Sequence, residues 1–192
     1  MKYLLWTLLT LNIFRLSSYG QNNAQGAFIS GVLKSSSMLG QPALLTGGRG
    51  GWVINHSIVL GGGFYSLIND IETRYVDPLN GRTMIMNLNC GGLEFEYIYP
   101  STEYIHASVL MFLGGGGVKY RARDESIPYT SLYGGSFLVW EPQLNAELNL
   151  SRFLHIGVGI SYRFIRNTNY FELNNEDLSG FTTVLTLKYG NY

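Results

Sequence analysis

The chain has a single cysteine, Cys90, among its 192 residues. That excludes an intrachain disulfide and a pair of thiolates holding a metal. Charge is scarce as well: 14% of residues are charged, where a soluble chain carries about a quarter. The 13 basic and 13 acidic residues cancel, so there is no electrostatic footprint for nucleic acid. Beyond the first twenty residues no stretch holds eighteen consecutive apolar residues, which argues against helical membrane spans. What the chain has in excess is glycine, 24 residues, and aromatic side chains, 14% of the total.

The first twenty residues have the make-up of a secretory signal. Met1-Lys2 supplies the positive start, Tyr3 to Phe14 is nearly all apolar, and Ser18-Tyr19-Gly20 offers small residues at a cleavage site. The apolar run is shorter than the ~20 residues a spanning helix needs. The expected division is therefore a signal over 1–20 and one mature domain over 21–192. Removing Lys2 and Arg15 leaves 11 basic against 13 acidic residues, a mature charge of about −2.

The rest of the chain alternates with period two. Leu154, Ile156, Val158, Ile160, Tyr162 and Phe164 form one row, against His155, Gly157, Gly159, Ser161 and Arg163. Such alternation over eleven residues is a strong strand signal. Phe181 to Tyr189 repeats it. Eight strands are expected near 26–36, 42–54, 58–69, 84–99, 104–121, 133–149, 154–166 and 178–190. They exceed the ~5–6 residues of ordinary strands and suit tilted membrane crossings. Two of them switch their apolar row midway, at Gly91-Gly92 and at Val139-Trp140, which predicts a β-bulge or a change of facing.

The connections sort by length. Asn55-His56-Ser57, Pro100 to Glu103 and Ser151-Arg152-Phe153 are short, whereas the links 70–83, 122–132 and 167–177 are long and polar, with the link near 37–41 shorter than its partners. Short turns on one rim and long loops on the other are the pattern of an outer-membrane barrel. Eight of the thirteen acids fall in the long links. Aromatics mark both rims: Trp52, Tyr97, Tyr99, Tyr104 and Phe153 on the short-turn side, and Phe64, Tyr120, Tyr133, Tyr162 and Phe164 on the other. The fold class expected is all-β, an eight-stranded antiparallel up-and-down transmembrane β-barrel in the outer membrane. Its immediate partners would be the lipid bilayer and lipopolysaccharide, with an extracellular partner reached through loops 70–83, 122–132 and 167–177.

With apolar rows facing lipid, the other rows fill the lumen, which in eight strands is just wide enough for side chains. The glycine runs fit there, and none carries P-loop spacing. Glu94, Glu96, Glu141 and Glu147 face four candidate partners, Arg49, Lys119, Arg163 and Lys188. Charges in a narrow lumen must pair or stay solvated, since desolvation costs several kcal/mol per ion. The expectation is a Glu–Arg/Lys network that plugs the barrel. Three histidines, His56, His106 and His155, gather at the short-turn rim, and parity puts the last two on the lumen row about 10 Å apart. They could titrate or bind a metal, but no Cys, Asp or Glu stands at ligand spacing beside them, and a polar plug at a water-facing rim is the expected role. No cofactor is expected.

Over nearly all of its mature length the chain resembles the small OmpA/OmpX-like barrels. Gly47 to Ser57, Leu113 to Tyr120, Trp140-Glu141-Pro142 through Phe153, and Gly157 to Arg163 further resemble uncharacterised outer-membrane barrels of Bacteroidetes-type bacteria. That resemblance implies the fold and brings no activity. His106-Ala107-Ser108 is similar to the His-x-Ser pair of barrel lipid A deacylases, yet it lies at the short-turn rim and lacks the adjoining motif residues. A closed, non-enzymatic barrel with a structural or loop-mediated role is the leading expectation, ahead of a narrow channel or small-ligand barrel and a lipid-modifying enzyme. The final apolar row ends at Tyr189 rather than Tyr192, so the last strand is expected to stop there.

Overall fold

A computed structural model describes residues 25–76, 81, 83–99, 104–122, 134–168 and 173–191. The expected signal over 1–20 lies outside the described residues, as do Tyr133 and nearly all of the link 122–132.

Nine strands follow one another: β1 (Gln25–Met38), β2 (Gln41–Ile54), β3 (Ile58–Leu67), β4 (Ile71–Val76), β5 (Thr83–Ile98), β6 (Ile105–Ala122), β7 (Gly134–Asn149), β8 (Leu154–Arg166) and β9 (Gly180–Asn191). A four-residue helix, α1 (Asn175–Leu178), precedes β9. Neighbours pair antiparallel in the order β3-β2-β1-β9-β8-β7-β6-β5, and β5 pairs back onto β3. The sheet is closed. Closure matters in hydrocarbon, where each unpaired backbone group at a sheet edge costs several kcal/mol.

β3 and β4 form one stave, so the barrel has eight. The stave bends at Ile68–Asp70, where Asn69 ties it to β2: its Oδ1 accepts from the Leu44 N–H (2.7 Å) and its Nδ2 donates to the Pro42 carbonyl (2.8 Å). Beyond the bend, β4 pairs with β5 at Ile71↔Met86. The expected loop 70–83 is thus corrected: its first half continues the wall, because Ile71 is fully buried there and Gln41 exchanges side-chain hydrogen bonds with the Glu72 backbone.

Alternate residues point in and out throughout. Ile29, Leu60, Leu93, Phe95, Val109, Leu113, Leu138, Leu144, Val158, Ile160 and Leu187 are exposed on the outer face. In water that belt would be an aggregation surface; in a bilayer it is the solvent-facing side.

The switches of apolar row in β5 and β7 are not bulges. Pairing of β5 with β6 runs unbroken from Met84↔Ala122 to Ile98↔Ser108. The inward row of β5 holds Met84, Met86, Leu88 and Cys90, then Glu94 and Glu96. The lumen lining itself changes from apolar to charged, so the apolar residues change face while the strand keeps register. Three further expectations are corrected. Tyr120 belongs to the inward row and is buried rather than part of a girdle. Lys119 beside it is exposed on the outer row, where parity forces it. The last strand runs past Tyr189 to Asn191, since Gly190 pairs with Phe28 and donates its N–H to the Phe153 carbonyl (2.9 Å).

Candidate functional site

The lumen is filled in layers. At the short-turn end Phe28, Val53, Val59 and Ile98 form a small apolar cluster. Above it lies a charged layer. The Arg49 guanidinium bridges two carboxylates of β5, with Nε 2.6 Å from Glu94 and Nη2 2.5 Å from Glu96. Lys188 of β9 reaches the other oxygen of Glu96 (3.2 Å) and also contacts Glu147 of β7. Strand alternation builds this: Arg49, Glu94, Glu96, Glu147 and Lys188 all hold inward positions, on the four staves β2, β5, β7 and β9. All five are nearly fully buried.

Neutral donors complete the layer. Tyr65 donates to Glu94 and Ser108 to Glu96, each at 2.6 Å. Asn145 then donates to the Ser108 hydroxyl (3.1 Å). Arg49 and Lys188 also lie over the Phe28 ring, at 5.3 and 5.1 Å, so the apolar cluster below meets the cations face on.

A second pair sits higher. Lys34 of β1 donates to Glu141 (2.8 Å), which also accepts from Ser161 (2.6 Å). Its ammonium stands 3.9 Å from the centre of the Tyr65 ring. Lys34 was not among the expected cations. Its parity with Ser30 and Ser36 places it inward, but the mixed rows of β1 concealed which face that was. Arg163 serves differently from the other cations. Its Nε donates to the Leu178 carbonyl (2.8 Å) and its Nη2 to Ser36 (3.1 Å).

Above these pairs the lumen is apolar. Met38, Leu45, Ile71, Met86, Leu88 and Phe112 are all almost wholly buried, and Leu173 and Leu178 join the same cluster from the link to β9. Part of that link is therefore a stopper and not a free loop. Arg163 and the Leu39 N–H, which donates to the Asp177 carbonyl (2.9 Å), hold it down.

The histidines take three different places. His56 sits in the β2–β3 turn with φ of 54°. His106 and His155 are buried on the lumen rows; His106 Nε2 is 3.4 Å from Glu147, and His155 Nδ1 is 2.6 Å from Asn149 Oδ1. Among the described residues no three His, Cys, Asp or Glu side chains come together as a metal site. Ser108 spends its proton on Glu96 rather than on His106, and both residues face the lumen rather than lipid.

No protein-family model matches the chain, and no curated protein matches its sequence. Solved structures do. The crystal structure of Neisserial surface protein A aligns with a TM-score of 0.60 at 9% identity, covering 89% of this chain and 99% of that one. The N-terminal β-barrel domain of Pseudomonas aeruginosa OprF aligns at 0.57 and 10% identity, covering 88% and 99%. Ail, the attachment invasion locus protein of Yersinia pestis, aligns at 0.52 and 11% identity over the same shares. The fold, with an apolar outer belt around an interior that carries the buried charges, is that of a small eight-stranded barrel of the outer-membrane type.

Proposed function

We propose that the protein is a closed barrel with a plugged lumen, serving the envelope structurally or through the loops of its long-loop rim, and that it is not an enzyme. The observation that carries this reading is the burial of opposed charges in the lumen, with apolar clusters to either side. Four buried cations, Lys34, Arg49, Arg163 and Lys188, balance four buried carboxylates, Glu94, Glu96, Glu141 and Glu147, and apolar clusters close both ends. A wide water path has no room among them. The narrow-channel and lipid-modifying readings lose support on the same ground, since His106 and Ser108 lie inside that packing.

Export through the signal over 1–20 and contact with lipopolysaccharide belong to the same proposal. The long-loop rim would then face outward. Ail has been solved in complex with the heparin analogue sucrose octasulfate. In sequence the links 70–83, 122–132 and 167–177 hold eight acids against three bases, Arg74, Arg82 and Arg123, a negative excess that disfavours such a polyanion and favours a cationic or neutral partner instead. The test has two arms. Proteoliposomes holding the folded protein should admit small sugars no faster than empty ones. Shortening 122–132 or the outer part of 70–83 should reduce binding of cells to a host-cell surface or a basic protein, with the barrel intact. Fast sugar entry would contradict the plug, and loop deletions without any binding effect would contradict the surface role.

A further inference from the structure

The outer wall over β7, β8 and β9 departs from the rest of the barrel at two adjoining places. Pairing of β7 with β8 runs through Trp140↔Phe164, stops, and resumes at Gln143↔Ser161. Pro142 lies in the gap and has no N–H to donate toward β8. There the wall carries an apolar notch of about 250 Å³, bounded by Val109, Leu144, Ile160, Tyr162 and Phe181 and reaching in to Ser161.

Higher on the same face a cleft of about 500 Å³ opens between β8 and α1. Tyr162, Phe164 and Arg166 of β8 line it together with Asn174, Asn175 and Glu176 at the start of α1. Tyr162 borders both cavities. The rings between them are packed together: Trp140 stacks on Phe164 with centroids 4.0 Å apart, and Tyr162 meets Phe164 at 4.4 Å and Phe181 at 4.9 Å. From Ile160 to Arg166 the strand covers roughly 20 Å.

An apolar slot, an aromatic shelf and a polar cleft thus follow one another up the wall. That is the order of an amphiphile standing in one leaflet. We propose that this face holds one glycolipid of the outer leaflet, its acyl chain in the Pro142 notch and its sugar headgroup in the cleft beside α1. The inference rests on the reading of the barrel as membrane-spanning with its long-loop rim outward. The notch opens within the apolar belt, so an acyl chain is what covers it. A sugar suits the cleft better than a phosphate. Carboxamides and a carboxylate above aromatic rings match hydroxyl groups and C–H faces, whereas a phosphate drawn to Arg166 would be repelled by Glu176.

The test uses the folded full-length protein in phosphatidylcholine nanodiscs. Native mass spectrometry counts retained glucosyl diacylglycerol or phosphatidylglycerol of matched chain length. Affinity comes from quenching of Trp140 by brominated-chain versions, in a background where Trp6→Phe and Trp52→Phe leave it the single tryptophan. One glucosyl lipid per barrel is expected, preferred over phosphatidylglycerol by at least about tenfold. Tyr162→Ala and Glu176→Gln should each weaken it about tenfold, while Phe64→Ala, on β3 away from both cavities, should leave it unchanged. Equal binding of the two lipids, or indifference to both cleft substitutions, would overturn the proposal. The unboiled band shift in detergent gels separates the failures: a shift without glycolipid preference sinks this site alone, and an absent shift in the parent protein sinks the membrane-barrel reading beneath it.

Discussion

Arg49 is the residue on which the charged layer turns. It neutralises Glu94 and Glu96 at once, and both carboxylates are as buried as it is. Arg49→Met should therefore destabilise the barrel by about 3–5 kcal/mol, the cost of leaving a buried charge without its partner. Urea unfolding from lipid vesicles measures it. Adding Glu96→Gln to that variant should restore much of the loss, because the excess negative charge is removed. Lys119→Ala makes the contrast: its side chain is exposed, and a change within about 0.5 kcal/mol is expected. Gly63 belongs to the same layer. A Cβ there would meet Glu94 Oε1 at 2.6 Å and the Tyr65 hydroxyl at 3.1 Å, so the residue is glycine because a carboxylate fills its side-chain space. Parity identified most of these residues from the sequence. It misassigned Lys119, which follows four successive glycines, Gly114 to Gly117, that erase the alternation of β6, and passed over Lys34, whose strand has apolar residues on both faces.

At the scale of elements, two features carry the packing. β5 and β6 approach closely where Gly92 faces Gly114; a Cβ on Gly92 would lie 2.3 Å from the Leu113 carbonyl oxygen and 2.5 Å from the Gly114 Cα. Backbone cannot move aside as a side chain can, so Gly92→Val should sharply lower the yield of heat-modifiable barrel on refolding. The stopper is the second feature. Leu178 is fully buried at the lumen mouth, and Leu178→Ala should cost about 2–5 kcal/mol, read as a lower temperature for loss of the band shift. Eight strands and their turns were legible because alternation is a local signal. β4 and α1 were not. Both lie in polar stretches where the ordering groups, Ile71 and Leu178, are single apolar residues docking onto distant strands, and no period announces them. The apparent parity switches had a related cause: alternation reports which row is apolar, and in this lumen the inward row changes character halfway along.

The molecule as a whole is inverted at one end only. Its outer face is apolar throughout the belt, while its inner face is charged toward the short turns and apolar toward the long loops. The opposed charges of the lumen hold one another, with apolar clusters to either side. Solved structures about 10% identical share the architecture, so the pattern of rows, and not the particular residues, specifies the fold.

Single-channel recording of the heat-modifiable protein in a planar bilayer tests the sealed lumen most directly. No steady conductance is expected from the parent protein at moderate voltage. A large, stable unitary conductance from correctly folded barrels would contradict the proposed plug.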